Sequence, residues 1–536
     1  MSWSGTRRRL LALAGLGAIG SLGRLPLAAG AAPLLSRFRV GNGGHPFAGD
    51  RADLTTLGPT SGRTAAELRF SLARPSAVTL DVLQTGQGVA SEKAVAVGQA
   101  ELSAQRSLLG AGEHVVDWKP PANLAARTYI LRLTATPRHG LGKPVATHGV
   151  ARVLGVDAAF TVHTAAAGDS VDLYLRTDAS TLTLQMMRSG LEQVPTYSND
   201  NLNGILLGEP MPIDWRAYRN QPGIVTVQLD PSWGTGIYFA RLEADDGRLG
   251  FAPIVIHPAA PAQRVAVVIP TSTWQAYNFY DANGDGWGDT WYARWKTDLV
   301  DITRPHPNRG IPYRYRSYDL QFQHWLTQTY KLVDTYGDED IERFTDPTAL
   351  RAAYDLIIFP GHTEYVSGRI YNLIQGYRDL GGNLMFLSAN NFFRRIDRNN
   401  NHIKLIDEWR DLGRPEEALL GVHYIASDRG QRHAPFTVVG ADVAPWAFVD
   451  TGLYNGAQFG SYGIEIDARG PASPPNVQVL ATIPDLFGAG RSAEMTYYEH
   501  ASGAKVFSAG ALNFGGQIML WPATQQLLQN VWNQLA

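Results

Sequence analysis

Residues 354–391, YDLIIFPGHTEYVSGRIYNLIQGYRDLGGNLMFLSANN, read as a complete strand, helix, strand unit. Tyr354 to Pro360 is a short unbroken apolar run closed by Pro-Gly, the pattern of a strand buried on both faces of a parallel sheet. Ser367 is placed to cap a helix in which Ile370, Leu373, Ile374, Tyr377 and Leu380 recur at helical spacing, and Gly381-Gly382 supplies a left-handed stop. Asn383 to Leu387 is then the next parallel strand. In open α/β sheets ligands bind beyond the carboxyl ends of the strands, so GHTEY (361–365) and SANN (388–391) are predicted to line one cleft. That groups His362, Glu364, Tyr365, Ser388, Asn390 and Asn391; the bland alternative is a tight turn at Gly361-His362 and a helix cap at Glu364.

Outward from this unit the same alternation continues. RVAVVIP from Arg264 is a first buried strand, YDLQFQHWLTQT (318–329) an amphipathic helix, YKLVDTY a second strand, AKVFSAGA (504–511) a last strand, and a terminal helix carries Leu527, Leu528, Val531 and Leu535. The expectation for 263–536 is a flavodoxin-like α/β fold. Before it the signals change to short alternating runs between Gly/Pro-rich turns: Val78, Leu80 and Val82, and Tyr129, Leu131 and Leu133, in 33–155; then Val171, Leu173 and Leu175 in 156–262. These spacings predict two β-sandwich domains of Ig-like type. Neither concentrates titratable residues.

Composition narrows the partners. The 536 residues exceed one ordinary domain, and a net charge of −2 gives no electrostatic footing for nucleic acid or an anionic membrane. No segment reaches spanning length. The order Arg7-Arg8-Arg9, a Gly-rich apolar run, then Ala29-Gly30-Ala31 predicts a twin-arginine export signal over 1–32 and a periplasmic or extracellular mature protein. With no cysteine in the chain, any metal must be held by oxygen or imidazole. Composition leaves a homo-oligomer open.

TSTWQAYN (271–278) ends the first strand, at the same sheet edge as GHTEY. Together with GHxEY, GGNLMFLSxNN and the MMRSG strand end (186–190), it resembles the large (beta) subunit of N,N-dimethylformamidase and its relatives, over roughly 160–536. The resemblance implies a domain shaped like the class I glutamine amidotransferases without their Cys nucleophile, and an amidohydrolase acting on a small-molecule amide. It further implies a mononuclear iron held by Tyr277, Glu364 and, through GWGDTWY, Tyr292, with Tyr313, Tyr315 and Tyr318 as alternatives for the second tyrosine. His362 and Asn390 would orient substrate, and Glu499, in YYEH, is the candidate general base. An oxygen-only site suits a hard Lewis acid.

The segment between the two tyrosines carries a second pattern. Asp281, Asn283, Asp285, Gly286 and Asp289 match positions 1, 3, 5, 6 and 9 of a calcium loop, with the Trp287 carbonyl at position 7 and Tyr292 where a bidentate Glu is usual. A solvated acidic turn is the other reading. Ser388 lacks a GxSxG elbow, and His306, His402, His423, His433 and His500 show no zinc spacing. Two functions remain: a metal-dependent amide hydrolase, or a non-catalytic cell-surface or carbohydrate-associated protein using its sandwiches and calcium loop.

Overall fold

The computed structural model describes residues 33–42, 47–60, 62–86, 94–101, 108–138, 142–192, 194–293, 298–399 and 401–536. The expected export signal, 1–32, lies outside them. The chain is mostly β, 40% strand against 16% helix, spread over several sheets. Among the described residues no helix is long and apolar enough to cross a membrane.

Two β units come first. In one, a sheet of Leu35–Gly41, Ala66–Leu72 and Gly112–Trp118 faces a five-stranded sheet that includes Ser76–Gln84 and Arg127–Pro137. The period of two in the sequence turns Leu68 and Phe70 from one sheet, and Leu80, Leu131 and Leu133 from the other, into a single core. The second unit repeats the plan: Ser170–Arg176 and its two neighbours face a sheet built on Thr181–Arg188, Gly236–Ala244 and Leu249–His257. Val171, Leu173, Leu175, Leu182, Leu184 and Leu242 meet between them.

The third unit has a nine-stranded sheet. Five strands are parallel, in the order Asp334–Gly337, Val265–Ile269, Leu356–Phe359, Asn383–Phe386, Lys505–Ser508. Val265–Ile269 and Leu356–Phe359 are buried at every residue because each face has its own cover. Val265, Val267, Ile269, Leu356 and Ile358 enter one core with the helices Gln321–Gln328 and Pro522–Leu535. Ala266, Val268, Ile357 and Phe359 enter the other with Gly368–Asp379. That helix starts and stops where its sequence says: Ser367 Oγ accepts the Ile370 N–H at 3.1 Å, and Gly381 sits at φ 86°. A side chain at Gly382 would collide with the Tyr377 ring, which explains the glycine pair.

Residues 392–503 carry no element expected from the sequence. There the structure adds four antiparallel strands, Ala493–Glu499, Gln478–Ile483, His433–Val438 and Gln458–Gly463, to the last parallel strand. It also lays a small sheet of Leu299–Asp301, His402–Glu408, Arg394–Asn399 and Tyr365–Ser367 over the carboxyl edge. Under that sheet Phe279, Trp291, Val300, Ile396 and Ile403 pack around Tyr277 and Tyr365.

Candidate functional site

The carboxyl edge of the parallel strands is where the sequence motifs meet. Thr271–Ala276 forms a short helix directly after Val265–Ile269, and Tyr277 caps its end, its N–H bonded to the Thr273 carbonyl at 3.1 Å. Thr273 Oγ1 accepts the Tyr365 N–H at 3.2 Å, tying TSTWQAYN to GHTEY. The GHTEY loop is in turn held to SANN, with the Thr363 N–H on Asn391 Oδ1 at 3.2 Å and the Phe392 N–H on the Thr363 carbonyl at 2.8 Å.

These ties bring four oxygen-bearing side chains together. Tyr277 Oη donates to Glu364 Oε2 at 2.6 Å, and Tyr292 Oη donates to Tyr277 Oη at 2.7 Å. Tyr292 Oη is also 3.3 Å and 3.4 Å from the two Glu364 oxygens and shares a hydrogen bond with Tyr365 Oη. The Tyr277 and Tyr292 rings stack with centroids 4.4 Å apart. Burial, then the neighbouring Glu364 charge, pushes all three phenols well above the ordinary tyrosine range, and burial raises Glu364 to about 7. Each oxygen thus faces other oxygens in a largely buried site, which a cation would relieve.

His362 and Asn390 join the cluster as expected. His362 Nε2 lies 3.3 Å from Glu364 Oε2, and burial drives its pKa down to about 3, so the ring is neutral. Asn390 Nδ2 donates to Glu465 Oε2 at 2.8 Å, and its buried Oδ1 has no partner among the described residues. Glu465 Oε2 is 3.7 Å from His362 Nε2, and burial with the nearby Glu364 raises its pKa to about 8.

Glu499 is not brought to this cluster. Its strand runs antiparallel to Lys505–Ser508 and pairs Glu499 with Lys505, so Glu499 stands at the amino edge of the parallel strands, exposed, with its carboxylate on Tyr497 Oη at 2.7 Å. The acid that does reach the cluster is Glu465, which the sequence reading missed. IEIDA (464–468) alternates like a surface strand with its acids in solvent; instead Ile464 takes φ 72°, costly for a β-branched residue, and Glu465 and Asp467 turn inward. Ser388 Oγ bonds the Leu512 carbonyl at 3.0 Å. Tyr315 is used elsewhere, its Oη 2.6 Å from Ser189 Oγ in MMRSG, so that motif docks the second β unit on the third.

A cavity of about 310 Å³ opens onto the cluster, with Tyr277, Tyr292, His362 and Glu465 on one side and Arg314 and Asp319 on another. Backbone strain collects around it: Arg314 (φ 53°), Asn390 (56°), Phe392 (55°), Arg429 (62°) and Ile464 (72°) are all left-handed.

The acidic loop lies apart, under the first β unit. Asp281 Oδ1 and Oδ2 accept the Gly284 and Gly286 N–H groups, each at 2.7 Å, and Asp289 Oδ2 accepts the Ala282 N–H at 2.7 Å. Asn283 Oδ1 accepts the Asp285 N–H at 3.0 Å, and Asp285 Oδ1 the Trp287 N–H at 2.9 Å. Arg152 donates to the Asp281 carbonyl at 2.6 Å and Thr85 to the Gly286 carbonyl at 2.7 Å. No group of three or more His, Cys, Asp or Glu side chains that could hold a metal occurs among the described residues, in this loop or elsewhere.

No curated protein matches the chain. Among solved structures, a Salmonella alpha-2-macroglobulin mutant is 9% identical with a TM-score of 0.23, covering 41% of this chain and 16% of its own. The native E. coli alpha-2-macroglobulin is 9% identical with a TM-score of 0.22 (38% and 15%), and the Yersinia pseudotuberculosis adhesin InvE 14% identical with a TM-score of 0.15 (38% and 56%). The chain therefore spans less than a fifth of the macroglobulins it matches, and such scores bear on neither fold nor function. The family described as N,N-dimethylformamidase beta subunit-like, C-terminal, matches residues 222–526, more than half of the chain and all of the cluster just described. The chain belongs to the N,N-dimethylformamidase beta subunit-like family.

Proposed function

We propose that the protein is an exported, metal-dependent hydrolase of C–N amide bonds, built on a flavodoxin-like core. The observation that carries this reading is the convergence of Tyr277, Tyr292 and Glu364, whose oxygens lie 2.6–3.4 Å from one another. Such separations suit three oxygen donors around one hard cation, for which bond lengths are about 2.0–2.2 Å. Tyr277, Tyr292 and Glu364 would hold iron, which when bound supplies Lewis-acid polarisation of an amide carbonyl and lowers the pKa of a water.

The remaining steps belong to the chain's own groups. Glu465 faces the same cavity and, in its ionised form, takes the proton of the attacking water. The water oxygen bonds to the carbonyl carbon, the C–N bond breaks, and the proton is delivered to the departing nitrogen, giving a carboxylic acid and an amine. Asn390 donates to Glu465 Oε2 and fixes which oxygen faces the substrate. His362, neutral and between the two carboxylates, keeps them apart.

The test is elemental analysis of purified full-length protein beside Glu364→Ala and Tyr277→Phe. Near-stoichiometric iron with a tyrosinate charge-transfer band, lost in both variants, supports the reading; a wild-type protein with no metal at this cluster overturns it.

A further inference from the structure

The cavity holds a charge that the hydrolytic reading does not use. Arg314 is half-buried on its wall, in a left-handed backbone conformation. Nε donates to Tyr313 Oη at 2.7 Å and Nη1 to Tyr318 Oη at 3.2 Å. Both phenols are kept protonated by burial, so they orient the guanidinium without neutralising it. Among the described residues no carboxylate lies within ion-pair distance of Arg314 and no acceptor meets its Nη2. Its neighbour Arg316 shows the ordinary solution, a two-pronged pair with Glu192 at 3.0 Å and 2.8 Å. A guanidinium held partly out of water without a counter-ion is unfavourable, and it presents an open edge whose geometry matches a carboxylate. Arg429 and Ser427 stand at the exposed rim of the same cavity.

We infer that the amide bound here carries a carboxylate or similar small oxyanion, which Arg314 receives while the amide faces Tyr277 and Glu364. This rests on the amidase reading for the reaction, but not for the anion. At about 310 Å³ the cavity is at the small end of ligand sites, the size for an N-acyl amino acid or a comparable acidic amide. The competing role for Arg314 is electrostatic tuning of Glu465, whose carboxylate it also influences.

The experiment uses the full-length, metal-loaded protein with two amides of similar size, N-acetylglycine and the neutral N-acetylethanolamine. Binding is measured by calorimetry, and turnover by amine release from pH 5 to 9. The expected result is at least about tenfold tighter binding of N-acetylglycine, a ratio that falls to within about twofold in Arg314→Met and is partly kept in Arg314→Lys, with thermal midpoints confirming that the variants fold. Equal binding of the two amides by wild type, or a preference that survives Arg314→Met, overturns the inference. A shifted pH profile with an unchanged ratio also overturns it, in favour of tuning. Carboxylate preference without any hydrolysis supports the inference and removes the amidase reading; hydrolysis without preference does the reverse.

Discussion

The Tyr277, Tyr292 and Glu364 cluster and the Asp281–Asp289 loop are neighbours in sequence, both rich in oxygen, and built on opposite plans. In the loop the chain bends round its own carboxylates: Asp281, Asp285 and Asp289 each accept backbone N–H groups, and Arg152 and Thr85 bind its carbonyls to the first β unit. In the cluster the phenols and the carboxylate have chiefly one another, and among the described residues no backbone donor satisfies the Glu364 carboxylate. Carboxylates answered by local N–H groups make a stable turn; a buried carboxylate ringed by phenol oxygens has no such answer and is eased by a proton or a cation. The acidic loop is thus answered by its own backbone and by the first β unit, while two tyrosines and a glutamate answer chiefly one another.

The comparison can be sharpened first at Glu465. Glu465→Gln is expected to lower kcat by about 10²–10⁴-fold with metal content kept, the usual worth of a general base. Glu499→Gln, at the far edge of the sheet, is expected to stay within about twofold, measured on the same amide. Equal losses in both would break the assignment of roles.

A second test concerns Asp319, a cavity carboxylate treated unlike those of the loop. Among the described residues it receives only the Trp274 indole N–H, at 3.3 Å, and its buried Oδ1, beside Gly361, has no partner. Burial lifts it from 3.8 to about 7, so the folded state keeps a proton that the unfolded state releases above about pH 4. The stability it contributes is complete below that pH and is lost as pH rises through about 7. Asp319→Asn should flatten this slope, making the variant more stable than wild type at pH 8 by at most about 4 kcal/mol, as read from denaturant midpoints.

On the loop side, Gly286→Ala places a methyl against Ile130 at φ 90° and is expected to destabilise by about 1–3 kcal/mol in thermal melts while leaving iron content unchanged. Smallest is the effect of calcium. For a site of millimolar affinity, 10 mM calcium would add about 1.4 kcal/mol of stability, abolished by Asp289→Asn. No shift would leave the loop as a docking turn.

Much of the site was legible because its motifs follow strands. Once Leu356–Phe359 and Asn383–Phe386 are parallel, GHTEY and SANN share an edge by geometry alone, and TSTWQAYN joins them from Val265–Ile269. Tyr292 was reached through its motif, and the structure puts its hydroxyl on Tyr277. Glu465, Arg314 and Asp319 were not legible. Glu465 sits in an alternating stretch that resembles a surface strand until Ile464 adopts its left-handed turn, Arg314 lies in a turn, and Asp319 is one polar residue of the helical stretch 318–329, where periodicity does not mark it as a cavity acid.

What the sequence determined by itself is local and periodic: the buried strands, the capped helix Gly368–Asp379, the two β units, and the edge on which the chemistry would gather. Those follow from backbone hydrogen bonding and side-chain period, which neighbouring residues fix among themselves. The tertiary structure alone decided which acid reaches the cluster. Strand direction is set by pairing partners far apart in the chain, and pairing Ala493–Glu499 antiparallel to Lys505–Ser508 sends Glu499 to one edge while Glu465 arrives at the other from 101 residues beyond Glu364.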